Sequence, residues 1–135
     1  MANALYDKGR EGFLDGSIDW DTDNIKVVLI DAADYTVNLA TDEDLADIAG
    51  AARVSTSGNL AGKTATAGVA DANDVTFSSV SGDESEAVVI YKDSGVEATS
   101  RLIAYIDTAT GLPITPNGSD ITVQWDNGAD AIFKL

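Results

Sequence analysis

Most of the ionisable side chains that could do chemistry in this 135-residue chain are carboxylates. There is no cysteine and no histidine, which removes thiolate nucleophiles, disulfides, zinc–thiolate sites and imidazole acid–base catalysis. Carboxylate, lysine or tyrosine chemistry is what remains. Asp19, Asp21 and Asp23 stand at alternate positions, as the first ligands of a calcium loop do. The EF-hand pattern then requires glycine and, at the loop's end, glutamate, where this chain has Asn24 and Ile30, so an EF-hand is excluded. A looser calcium site at Asp19, Asp21 and Asp23, or at Asp71, Asn73 and Asp74, stays open beside the simpler reading, turn chemistry with no required cofactor. Asp83, Glu84 and Glu86 form a second acidic group. Glycosidases need two carboxyl groups about 5–10 Å apart across a sugar cleft, and a small domain with few aromatic residues offers little platform for one. The expectation is a protein that is not an enzyme.

The elements that must position these groups are organised around Asn24–Asp31. Ile25 and Val27 alternate with Lys26, and from Val27 onward both faces are apolar, so the strand needs cover on both sides and belongs at the centre of a sheet. Ala87–Tyr91 and Leu102–Ile106 have the same character. Ile25–Asp31 and these two runs should be the most buried strands. Val75–Ser78 and Ile121–Trp125 alternate apolar and polar, as half-buried strands do. Arg53–Thr56 and Lys63–Thr66 are weakly apolar around Ser57-Gly58-Asn59 and predict an edge hairpin. Val69–Asp74 reads as a loop, Asp126–Ala129 as a hairpin turn, and Ala131–Leu135 as a closing core strand. The whole predicts a single all-β domain over residues 1–135, an antiparallel β-sandwich of jelly-roll type, with a wrapped barrel as the alternative.

Two helical segments accompany the strands. Ala2, Leu5, Tyr6, Gly9 and Phe13 fall at helical spacing, so Ala2–Leu14 predicts a short helix that stops at Gly16. Gly9 and Gly12 weaken it, each by up to about 1 kcal/mol relative to alanine. The alternative for residues 1–16 is an irregular arm laid along a neighbour. Thr41 reads as the N-cap of a second short helix running through Ile48, with Leu45 and Ile48 pointing inward.

Charge sets limits on partners. With 23 acidic and 8 basic residues the net charge is −15, which argues against nucleic acid and against anionic membrane surfaces. Docking on a basic or polar partner fits better, and a merely solvated surface is the plain alternative. No apolar run approaches the roughly 20 residues of a membrane span and the N-terminus has no signal-like apolar core, so the expectation is a soluble product of a cytoplasm.

Several stretches together resemble a known group. Ala4-Leu5-Tyr6-Asp7-Lys8-Gly9-Arg10-Glu11, Phe13-Leu14-Asp15-Gly16, Ile18-Asp19-Trp20 and Ile25–Asp31 are similar to the opening of small structural proteins of tailed bacteriophages. Tyr35, Leu45–Ile48, Ile121–Trp125 and Ile132–Leu135 extend the likeness over most of the chain. The resemblance implies a virion protein made in a bacterial cytoplasm. Its most specific implication is a capsid decoration, or cement, protein bound to the major capsid protein on the outside of the head. The alternatives are a tail or neck structural protein and a tail-tip receptor-binding module that would stack glycans on Trp20 or Trp125.

Partner contacts are expected where charge is low or edges are open. These are Leu5, Tyr6, Phe13 and Leu14 in the N-terminal segment, Arg53 and Lys63 around the weak edge strands, and Leu112 and Pro113 in the proline loop. A homo-oligomer, dimer or trimer, is expected at symmetric junctions of a shell, against a monomer whose N-terminus folds back on itself.

Overall fold

The structure is a computed structural model and describes residues 4–135. The chain is mostly β, built from antiparallel sheets with one α-helix. The five-stranded central sheet contains β1 (Ala4–Leu5), β2 (Ile25–Ile30), β3 (Arg53–Thr56), β7 (Ala87–Lys92) and β8 (Leu102–Ile106), in the order β1-β8-β7-β2-β3. Strands β4 (Thr64–Thr66), β5 (Val69–Asp71) and β10 (Phe133–Lys134) form a second sheet in the order β10-β5-β4. Strands β6 (Val75–Phe77) and β9 (Ile121–Val123) form a two-stranded ribbon. Helix α1 (Asp7–Asp15) lies across β8.

The three greasy runs sit where expected, as neighbours at the centre. In β2, Ile25, Val27 and Leu29 face one apolar cluster and Val28 and Ile30 face another, so the strand is buried on both sides. The register pairs Val27 with Ile90, Val28 with Val89 and Leu29 with Val88. On the first face Phe77, Val123, Trp20, Trp125 and Ile132 close the layer, bringing both smaller sheets against the central one. On the second face the cover is Tyr6, Tyr35, Leu45, Ile48 and Ala52, supplied by the segments that lead into and out of the outer strands. Each fully buried aliphatic side chain contributes about 1.5–3 kcal/mol, and truncating one such as Leu29 to alanine costs about 2–5 kcal/mol.

The periphery departs from the sequence reading at both helical segments, in the edge hairpin, at Val69–Asp74, and in the last turn and strand. Ala2 lies outside the described residues, and Ala4 and Leu5 are strand rather than helix, pairing with Tyr105 and Ala104. The helix begins only at Asp7, and Gly16 ends it at a φ of 80°, as expected of a C-terminal glycine. Because Leu5 and Tyr6 are core residues, the segment is not a detachable arm. The second helix shrinks to one 3₁₀ turn, Leu45–Asp47, capped by Asp44 and not by Thr41. Asn38 takes Thr41 into an earlier turn, its side chain accepting from the backbone N–H groups of Ala40 and Thr41. Leu45 and Ile48 do point inward.

Arg53–Thr56 and Thr64–Thr66 are both edges, but not of one hairpin, since β3 pairs with β2 and β4 with β5. After Thr56 the chain keeps following β2, with the Ser57 and Leu60 N–H groups donating to the carbonyls of Val27 and Ile25. It then crosses to the second sheet. There the segment expected as a loop supplies β5, joined to β4 through Ala67 and Gly68, whose φ values of 54° and 79° give the positive-φ pair of a tight hairpin. The turn at Asp126–Ala129 does not join paired strands, because β10 leaves β9 and pairs with β5. The closing segment is therefore an edge strand, with Ile132 buried and Leu135 exposed.

Candidate functional site

Two carboxylates of the first acidic group, Asp19 and Asp23, are taken up by their own turn, and Asp21 is exposed beside them. The Asp19 carboxylate accepts from the N–H groups of Asp21 and Thr22, and the Asp23 carboxylate accepts from the Asp19 N–H at 2.7 Å and pairs with Lys92 at 3.1 Å. Burial pushes the Asp23 carboxyl up, but the Asp19 N–H and the Lys92 ammonium outweigh it and hold it below the usual range. The second calcium candidate is likewise structural in its contacts. The Asp71 carboxylate accepts from Ala72 N–H and that of Asp74 from Trp125 N–H, while the Asn73 carbonyl accepts from the Trp125 indole.

One carboxylate cluster was missed by the sequence reading. Oxygens of Asp31, Asp34 and Asp83 lie within 4.8 Å of one another, the only such group of three among the described residues. Asp31 is 7% exposed and also accepts from Ala33 N–H. Three hard oxygen ligands could contribute to holding a cation such as calcium, which takes 6–8. The separation of Asp83 from the other two along the chain hid the grouping. Of the remaining acidic candidates, Glu84 accepts from the Thr115 hydroxyl at 3.3 Å and Glu86 from Ala32 N–H at 3.1 Å.

A buried polar chain crosses the second face. The hydroxyls of Tyr6 and Tyr35 are 2.8 Å apart, and Tyr35 donates to Asp42 at 2.6 Å. With Tyr35 donating to the carboxylate, Tyr6 must donate to Tyr35. Burial, foremost, pushes both phenols well above their ordinary value. The chain pins the loop before the Leu45–Asp47 turn onto the sheet and leaves neither phenol free for chemistry.

The expected partner-binding residues do not form one surface. Tyr6 is fully buried, and Leu5 is buried at the edge of the central sheet. Arg53 stands on β3, at the opposite edge from β1, and makes a two-point contact with Glu97 at 2.8 and 3.3 Å. Lys63 donates to the backbone carbonyl of Asp23. Leu112 packs against the first apolar cluster, beside an exposed Pro113. Phe13 and Leu14 remain at the surface, Phe13 half-buried and Leu14 89% exposed.

Those two residues open onto a feature that the sequence did not suggest. Between α1 and β10 lies a hollow of about 470 Å³ lined by Leu5, Arg10, Phe13, Leu14, Lys134 and Leu135. Phe13, on the hollow, packs on Phe133 with ring centres 5.8 Å apart, and Phe133 meets Trp20 edge-on at 5.3 Å, so a ladder of aromatic rings leads from the hollow into the first apolar cluster. Two of the chain's 8 cations line it and none of its 23 acids does. No protein-family model matches the chain, and no curated protein matches it. No helix among the described residues is long and apolar enough to cross a membrane.

Proposed function

We propose that this chain is a tailed-phage virion protein, a capsid decoration or cement protein that binds the outer surface of the head shell and stabilises it. It acts as a dimer or trimer on the major capsid protein, and its fold is a β-sandwich of jelly-roll type. The apolar layer shared by the central sheet and the two smaller ones supports the sandwich, as do the chain's repeated crossings between those layers after β3, β6 and β8. The observation that carries the functional reading is the apolar hollow at α1 and β10, an exposed hydrophobic feature on an otherwise acidic surface. Exposed apolar patches of this kind mark contact surfaces. The net charge of −15 fits a place outside a shell, away from packaged DNA. Trp20 and Trp125, the rings a glycan-stacking module would need, are each 5% exposed, and their indole N–H groups donate to backbone carbonyls of Asp71 and Asn73. That observation weighs against a tail-tip receptor role.

A cryo-EM map of particles containing the protein tests the reading. Many copies at symmetry-related positions on the outer shell are expected. A ring of a few copies at the neck or tail overturns it.

A further inference from the structure

We infer that the hollow between α1 and β10 is a docking groove for an extended segment of a partner polypeptide, one that carries apolar side chains next to a carboxylate. The inference rests on the reading of the chain as a protein that docks on a larger assembly, and it names the chemistry of what is docked.

Three observations carry it. The first is shape and apolarity. Leu14 and Leu135 are 89% and 60% exposed, and Leu5 and Phe13 line the hollow with them. Apolar side chains of a partner would cover these residues, and covering a leucine fully contributes about 1.5–3 kcal/mol.

The second is the backbone. Among the described residues no strand pairs with the outer edge of β1 or with the outer edge of β10. A second hollow of about 370 Å³ lies along these two edges and shares Leu5, Arg10 and Lys134 with the first. Open strand edges beside apolar side-chain pockets are the setting for strand addition, in which main-chain hydrogen bonds give affinity and the pockets give specificity.

The third is charge. Of the eight cations, Lys8, Lys26, Arg53 and Lys92 pair with carboxylates, Lys63 donates to the Asp23 carbonyl, and Arg101 reaches the Ser17 hydroxyl. Arg10 makes one contact with Asp7 at 3.3 Å, with both side chains more than half exposed, a pair that water and salt weaken. Lys134 has no ion pair among the described residues. Arg10 and Lys134, two of the three least committed cations, therefore sit together on this one hollow, while the third, Arg101, shares its surroundings with Glu43 and Asp44. Asp126 and Asp130 line the second hollow and not the first, so the occupant's carboxylate belongs in the first, with Arg10 and Lys134.

The test uses the purified full chain and a displayed library of random peptides about a dozen residues long. Enriched sequences should carry two or more apolar residues followed by Asp or Glu. Binding of such a peptide should fall at least about tenfold in the double variant Arg10→Glu/Lys134→Glu and in Leu14→Ser, a tenfold change being about 1.4 kcal/mol. It should be unchanged in Arg53→Glu, at the opposite edge of the central sheet. All these side chains are at least partly exposed; an unchanged melting temperature confirms that the groove variants fold, and a cooperative melt at a lower temperature is expected of Arg53→Glu, which gives up the Glu97 contact. Failure to enrich any peptide, enrichment of basic peptides, or binding indifferent to Arg10, Lys134 and Leu14 would each overturn the inference. So would a concentration-dependent dimer that the double variant abolishes, because the groove's occupant would then be a second copy. Shell binding is read separately. A wild type that fails to bind shells but selects acidic–apolar peptides removes the decoration role and leaves the groove standing.

Discussion

Gly9→Ala separates what the helix wants from what the fold allows. In an isolated helix the change is stabilising by about 0.8–1.0 kcal/mol, because alanine is the better helix former. In this protein Gly9 faces β8 at closest approach. A Cβ built on it would lie 2.9 Å from the Ile103 Cα, 2.9 Å from the Ile103 carbonyl oxygen and 2.9 Å from the Leu102 carbonyl oxygen. Comfortable carbon contacts lie at about 3.5–4.0 Å, so the helix would have to lift by roughly half an ångström or more. All three obstructing atoms are backbone of a central-sheet strand and cannot rotate away. Overpacking of this kind costs about 1–3 kcal/mol, and rigid walls favour the upper end. After subtraction of the propensity gain, the net expectation is a loss of about 2 kcal/mol, or roughly 6–8 °C in melting temperature for a chain of this length. Gly12→Ala is the control. Its Cβ would meet side-chain atoms only, Ile18 Cδ1 at 2.5 Å and Cγ1 at 2.7 Å, which can shift where backbone cannot, so the change should cost less than Gly9→Ala. Urea unfolding followed by far-UV circular dichroism measures both. A Gly9→Ala variant as stable as wild type, or a Gly12→Ala variant that loses more than it, would refute the close-approach reasoning.

Three further outcomes are expected. Tyr35→Phe removes the donor to Asp42 and the acceptor of the buried Tyr6 hydroxyl, and should cost about 1–3 kcal/mol in a urea titration, whereas a loss under about 0.5 kcal/mol would mean that the chain of hydroxyls holds nothing. Asp44→Ala removes the side-chain bond to Ala46 N–H and should cost about 1 kcal/mol, measurable as a lower melting temperature that Asp44→Asn largely restores. The pH dependence should be lopsided. The Lys26 ammonium holds the Asp93 carboxyl below its ordinary 3.8, so that pair's stabilisation is present above 3.8 and is lost only as pH falls through the lower folded value. Asp23 behaves alike, while Asp44, raised first by burial and then by Asp47, has the opposite sign and gains as pH falls through its folded value, above 3.8. The melting temperature should therefore hold or rise from pH 7 to about pH 4 and drop below 3.8, and Lys26→Met should lower it at pH 7 but not at the acid end, a pattern that thermal melts across the range would check.

The centre of the fold was legible because its signal is local. Val27 to Ile30 are apolar at every position, and only a strand covered on both faces accommodates that. The edges were not, because turn residues say that a chain reverses and not which strand it meets. Ser57-Gly58-Asn59 and Asp126-Asn127-Gly128 both carry reversal signals, yet the strands flanking each belong to different sheets. The β4–β5 hairpin hid behind Ala67, a residue that ordinarily avoids the positive φ it adopts here. At the N-terminus a helical spacing of apolar residues ran through Leu5 and Tyr6, and tertiary pairing with β8 overrode it. The hollow was beyond any local reading. Its walls come from opposite ends of the sequence, and Leu135 looked like core until β10 proved to be an edge.

The placement of positive charge links this architecture to the proposed docking. In a chain with 23 carboxylates, a cation that finds one gains attraction and removes a local repulsion. Four of the eight cations do so across long sequence distances. Lys92 joins β7 to Asp23 and to the Ser17 carbonyl, Lys26 ties β2 to Asp93, and Arg53 ties β3 to Glu97. These are structural ties, and each fixes a loop against the central sheet. Arg10 and Lys134 depart from that pattern, since neither closes a contact between distant parts of the chain although acceptors are abundant. Both stand on apolar walls whose leucines are exposed, where a lone ammonium or guanidinium adds little to the free protein. On a partner's carboxylate the same groups would make charge-assisted hydrogen bonds at the rim of a dry contact, stronger than any they make in the free chain. Charge that does little in the folded monomer, placed beside apolar surface that is also unused there, is the combination a docking surface requires. It is also why exchanging Arg10 and Lys134 for acids should leave the fold intact while removing the docking.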